Sequence, residues 1–438
     1  MVMFRFHPRA NAAVLAAPLL LVIVLLYVFS SDVSADLDGY WTAATAKAAS
    51  ALMFIGPVTA ACAAWEAGRL RRARIGEGTP IRNGWQIAAA ALVPIVVLGV
   101  VALAVALAGA RLQMQSAPGW PDARIILSAA VILCAHILAG YAVGMWLPAV
   151  AAVPVVLVGD YLWNVYPPAL QPLWLRHLTQ PAFGCCLDTS TADIAGITGP
   201  AVLAVGLAAL AMAAAAASRH TPRLGNLPTA VPYTASALAV IIAVATTAGS
   251  VSLVDRLGPD AIRARPASDL VCATRQGTRV CVWPEHTSRL NETARTVSTA
   301  VNRLRVIGVS APSVVTESRQ QPTPTQWTVT VKQDPSFTRQ DILSGLISDL
   351  TVRLSGTKDH GSRANCPANP SDAAEQAFAS QDQMRIWLTV RAGMSPQDAQ
   401  RRTDPQLWAP VARVLSGSLS SQENWFHSAL ARAGCMPR

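Results

Sequence analysis

The chain has 438 residues, 52% of them hydrophobic and only 14% charged, whereas an average soluble domain is about a quarter charged, so much of it does not meet water. The formal net charge is +10, yet no basic run is interleaved with aromatic residues, which argues against a nucleic-acid partner. Lysine occurs only at Lys47, Lys332 and Lys358, and none of these stands in a GxxxxGK[ST] loop, so the chain carries no P-loop of its own.

Charge is unevenly placed. Residues 1–254 hold 13 Lys and Arg with 9 Asp and Glu, while residues 255–438 hold 22 and 16. The second segment has a soluble protein's charge density and the first does not. The expected fold class is an all-α membrane bundle of about seven transmembrane helices over 1–254, followed by a C-terminal α+β extracytoplasmic domain with disulfides over 255–438.

About 20 apolar residues cross the hydrocarbon core as a helix. Stretches of that kind fall near 12–30, 42–65, 86–109, 125–143, 146–163, 197–217 and 231–252. The first follows Arg5 and Arg9 but has no clear cleavage site, so it reads as a retained helix. The fourth and fifth stretches read as joined by a tight turn around Gly140, Gly144 and Pro148.

Orientation follows from the Lys and Arg of the short loops. With the N-terminus inside, the cytoplasmic segments carry Arg5, Arg9, Arg69, Arg71, Arg72, Arg74, Arg82, Arg219 and Arg223, against Lys47, Arg111, Arg124 and Arg176 outside. Nine against four favours this orientation, and seven crossings then put the C-terminal domain outside.

Cysteine usage agrees with that. Cys62 and Cys134 lie in spans, while Cys185, Cys186, Cys272, Cys281, Cys366 and Cys435 all lie on segments expected outside, where disulfides persist. They lack the paired CxxC spacing of zinc sites. Cys272 and Cys281 flank a hairpin expected over 271–283 with Gly277 near its turn, and Cys366 and Cys435 bracket the last helices. Neighbouring Cα atoms only about 3.8 Å apart disfavour a Cys185–Cys186 bond, so at least one of the two is expected to bond elsewhere.

The rest of the outer domain alternates helix and strand. Leu290, Val297, Val301, Leu304 and Val306 have helical spacing, as do Ile342, Leu346, Leu350 and Val352, and residues 327–332 alternate like a strand. Further helices are expected over 371–393, 404–415 and 420–434. The segment Trp283-Pro-Glu-His286 sets a carboxylate beside an imidazole, but adjacent side chains point apart. No HExxH or GxSxG motif is present. The chain reads as a non-enzyme without cofactor or metal.

Polar residues in the spans are few. Lys47 and Asp160 read as lying near outer span ends, where they either pair or snorkel separately. His136 stands near a span's middle, as a helix-interface hydrogen bond or a proton relay. After the second span, Glu66, Arg69, Arg71, Arg72, Arg74 and Arg82 form a charged helical extension and turn. Such an element suits docking in a groove of a soluble partner, or ordinary positive-inside anchoring.

The order of these parts resembles a known family. A basic amphipathic start (Met1 to Arg9) leads to the charged extension, then to two spans joined through Gly140-Tyr-Ala-Val-Gly144. A loop rich in Pro and Trp, Tyr166 to Phe183, precedes the sixth span. Over residues 1–217 this is similar to the permease subunit of ABC-2 type exporters. With its seventh span and outer domain, opened by Cys272 to Glu285, the chain looks like ABC-associated membrane proteins of actinobacteria. The resemblance implies a separate P-loop ATPase partner docking on Glu66 to Arg82, a dimer of membrane subunits in the bilayer, and an outer loop that dips back into the membrane. The rival reading is a membrane-anchored ligand-binding or sensing protein without transport activity.

Overall fold

A computed structural model describes residues 11–30, 38–73, 84–114, 117–218, 230–310, 312–318, 326–356 and 369–434. The chain divides into two compact units, residues 1–264 and 265–438. The first extends ten residues beyond the end of its last long helix, because Ile262–Ala264 (β2) returns to pair antiparallel with Ser190–Ala192 (β1).

Among the described residues, eight α-helices build the first unit: α1 (Ala12–Val28), α2 (Trp41–Ser50), α3 (Leu52–Arg72), α4 (Gly84–Leu112), α5 (Ala123–Trp146), α6 (Ala149–Val165), α7 (Ile194–Ala217) and α8 (Ala230–Val254). Their starts are fixed by short polar side chains that accept orphan backbone N–H groups. Asn11 caps α1, Asp122 caps α5 and Asp193 caps α7, accepting from Ala13, Arg124 and Ala195 respectively. Counting α2 and α3 as one element interrupted at Ala51, six helices among the described residues are long and apolar enough to cross a membrane. The seventh apolar helix, α1, has 17 residues.

Side-chain hydrogen bonds fix how these helices run beside one another. The Ala12 amide donates to Glu66 Oε1 at 2.9 Å, and Asn11 Nδ2 donates to the Ala91 carbonyl at 3.4 Å. At the other end of α1, Tyr27 OH meets Ser50 Oγ at 2.8 Å and Gln113 Nε2 donates to the Val28 carbonyl at 2.9 Å. Helix α1 therefore runs antiparallel to α2–α3 and parallel to α4.

The expected turn at Gly140 and Gly144 is corrected. Both residues lie inside α5, and the link to α6 is Leu147 and Pro148 alone. A methyl at Gly140 would lie 2.7 Å from the Ala60 Cα, and one at Gly144 2.7 Å from the Ala64 Cα. The two glycines are thus the surface on which α5 rests against α3, in the small-residue packing of membrane helices.

In the second unit, β3 (Val271–Arg275) and β4 (Thr278–Val282) form an antiparallel hairpin, and β5 (Val314–Thr316) and β6 (Gln326–Thr328) extend it in parallel, in the order β3-β4-β5-β6. Gln276 and Gly277 at the turn both have positive φ, 47° and 77°, as a two-residue hairpin turn requires. The crossover helix α9 (Leu290–Val306) buries Ala294, Val297, Val301 and Leu304. Helix α10 (Arg339–Gly356) buries Ile342, Leu346 and Leu350. Val306 and Val352, which the same spacing groups with them, are exposed. Helices α11 (Pro370–Ala392), α12 (Pro396–Arg401), α13 (Pro405–Leu415) and α14 (Leu419–Ala433) complete the unit, with Trp387 stacked on Phe426 at 5.1 Å.

Candidate functional site

Helices α3, α5, α6 and α7 line an open cavity of about 570 Å³ walled mostly by Ala, Val and Leu. One polar pair faces it. His136 Nδ1 of α5 and Asp160 Oδ1 of α6 stand 2.6 Å apart. The imidazole rests on Gly56 of α3, where a Cβ would approach the ring to 3.2 Å, so the glycine makes room for the histidine. Leu178 and Thr179, from the Pro- and Trp-rich segment, also reach the lining.

The pair lies deep. His136 precedes the end of α5 at Trp146 by ten residues and Asp160 follows the start of α6 at Ala149 by eleven, about 15–17 Å along each helix at 1.5 Å per residue. Asp160 stands five residues before the last residue of α6, Val165. Asp160 Oδ2 is buried with no hydrogen-bond partner among the described residues. The cavity thus offers one carboxylate oxygen to a donor-bearing guest in otherwise apolar walls, the usual make-up of a ligand pocket.

Replacing Asp160 by Leu should lower the unfolding temperature in detergent, by about 1–3 kcal/mol of stability for the orphaned imidazole. Asp160→Asn keeps an acceptor and should lose less. His136→Leu combined with Asp160→Leu should cost less than the two single changes together; strict additivity would show that the two side chains are not coupled.

Lys47 does not join this pair, nor does it snorkel. It is buried at 6% exposure in α2, with Nζ 4.1 Å from the centre of the Tyr27 ring.

The charged extension of α3 is partly folded into the bundle. Glu66, expected on an exposed docking face, is 2% exposed. It binds Arg69 at 3.0 Å and the α1 N-terminus. Arg71 donates to the Trp146 carbonyl at 3.0 Å, closing the C-terminal end of α5. Gly68 lets Ala149, the first residue of α6, approach to 2.8 Å of where its Cβ would be. Arg72 lies over Trp65. Arg74 and Arg82 lie outside the described residues. One end of α3 is therefore latched to α1, α5 and α6 at once.

Cys272 and Cys281 face each other across the hairpin and are joined, Cα to Cα 4.0 Å. The expectation for Cys185 and Cys186 is corrected: they pair with each other, their Cα atoms 3.1 Å apart across a cis peptide. Cys366 and Cys435 lie outside the described residues.

Sequence reasoning missed a buried polar cluster in the second unit. Glu285 and His286 do point apart, each to a distant partner. Arg265 forks onto Glu285 at 2.6 and 3.1 Å and stacks on Trp283, and the Gln333 amide donates to the Glu285 carbonyl. Glu317 lies beside His286 Nδ1 at 2.9 Å and accepts the Trp283 and Val331 amides at 2.6 and 3.1 Å. Both clusters lie within the second unit. Among the described residues no group of three His, Cys, Asp or Glu side chains is placed to hold a metal ion.

Fold and site together define a multi-pass helical membrane protein with a separate mixed α and β unit at its C-terminus. Residues 280–434 of that unit match the family described as Domain of unknown function (DUF7224). No curated protein and no solved structure matches the chain.

Proposed function

We propose that this chain is the membrane-spanning permease subunit of an ATP-driven exporter. ATP is hydrolysed by a separate P-loop ATPase, and two membrane subunits pair around the pathway. The observation that carries the reading is the latched end of α3. A soluble partner pressing on the segment after Arg72 would move α1, α5 and α6 together through Glu66, Arg71 and Gly68. Two of those helices hold the ends of the His136–Asp160 cavity.

Seven crossings belong to the same proposal. Helix α1 covers the depth between Ser50 and Glu66 of its neighbour, so it crosses with α3 despite its length. With the Arg-rich end cytoplasmic, the second unit is extracytoplasmic, where its disulfide persists. Thr179 on the cavity wall supports a re-entrant Tyr166–Phe183 segment.

The test is Arg71→Glu with Arg72→Glu, assayed in proteoliposomes with the partner ATPase. Stimulated ATP hydrolysis should fall at least tenfold, about 1.4 kcal/mol of lost coupling, while the variant still elutes as a folded species. Full stimulation in that variant would sink the coupling role.

A further inference from the structure

Independently of the exporter reading, we propose that Lys47 is the cation of an oxyanion-binding site that takes a phosphate or carboxylate group. Lys47 lies six residues into α2 from Trp41, about 9 Å along the helix. Its side chain is more than nine-tenths buried, and Nζ has no hydrogen-bond acceptor among the described residues. The ammonium borders a cavity of about 320 Å³ lined also by the connecting segment Gln180–Leu187.

An ammonium withdrawn from water without a counter-charge is strongly disfavoured, and the face of the Tyr27 ring offsets only part of that. A carboxylate of the protein could have filled the place, as Asp122 does for Arg124 and Glu66 for Arg69. Here the place facing Nζ is a cavity. Of its other polar groups, Ser50 Oγ donates to the Lys47 carbonyl at 2.7 Å and lies 2.8 Å from Tyr27 OH, so both hydroxyls are already engaged, whereas the Gln180 Oε1 has no partner among the described residues. Turned over, that amide presents N–H donors. The ammonium and the amide around one cavity are the complement of an oxyanion, bound by charge-assisted hydrogen bonds. The remaining wall is apolar, with Ala43, Ala46 and Phe183, and the site lies within two helical turns of a span's end. Both features suit the head group of an amphiphile, although a free oxyanion has the same chemistry.

The test uses the full-length protein in a neutral detergent, followed by thermal unfolding and native mass spectrometry. The probes are dodecyl phosphate, inorganic phosphate and, as the opposite charge, dodecyltrimethylammonium. Dodecyl phosphate should raise the unfolding temperature of the wild type and of Lys47→Arg. It should bind Lys47→Met at least tenfold more weakly. Without any probe, Lys47→Met should unfold no lower than wild type, because the lone buried cation is gone; a purely structural lysine packed on Tyr27 predicts a drop instead. A shift with dodecyl phosphate alone places the site at a lipid-like head group, and a shift with inorganic phosphate as well makes it a site for free oxyanions. Equal shifts in wild type and Lys47→Met, no shift in either, or an equal response to the cationic probe would overturn the proposal.

Discussion

Gly140→Leu should prevent the membrane bundle from assembling in its present form. Even the first carbon of the new side chain would stand inside the contact radius of the Ala60 carbonyl and 2.7 Å from the Ala60 Cα. The obstacle is backbone, so no rotamer change relieves it, and α5 must move away from α3. Ordinary overpacking in a core costs about 1–3 kcal/mol, and a clash that parts two helices exceeds that. Separation would also release Gly56 from His136, Gly144 from Ala64 and Arg71 from the end of α5. The expected result is loss of the monodisperse species in mild detergent, with Gly140→Ala showing a lowered unfolding temperature. Gly249→Ala is the control, because nothing lies within 4 Å of the Cβ it would add. If Gly140→Ala and Gly249→Ala unfolded at the same temperature, the α3–α5 contact described above would be wrong.

Glu317→Ala should be the most damaging single change in the second unit. It removes the acceptor for two backbone amides and for His286, all buried. A buried donor left without its acceptor costs about 1–3 kcal/mol, so the three donors together cost about 3–5 kcal/mol. For a unit of this size that is a fall of about 10 °C in unfolding temperature. Glu317→Gln retains one carbonyl acceptor and should fall by less. The readout is the temperature at which residues 265–438 become open to a protease in the full-length chain. A wild-type profile for Glu317→Ala would show that these amides are satisfied in another way.

These cases show what the sequence could and could not disclose. Long apolar stretches are a property of composition, so the six long helices were legible within a few residues. Likewise, Cys272 and Cys281 were legible because hairpin register is local. Gly140 and Gly144 carried the right signal with two meanings. Glycine marks turns, but two glycines four apart in an apolar run mark a helix contact, and the second meaning holds here. Glu66 looked solvent-facing from its charged neighbours, yet its oxygens are the cap of a helix that begins 54 residues earlier. Glu317 could not have been found, since its partner His286 is 31 residues away and no local pattern links them.

The central claim is a permease that works with a separate ATPase. The most direct measurement is purification of the tagged, full-length protein from its native host in mild detergent, with the stoichiometry of whatever remains bound. The account predicts a P-loop ATPase at one copy per membrane subunit, lost when Arg71 and Arg72 are both changed to Glu. A well-folded protein that reproducibly elutes without an ATPase would contradict it.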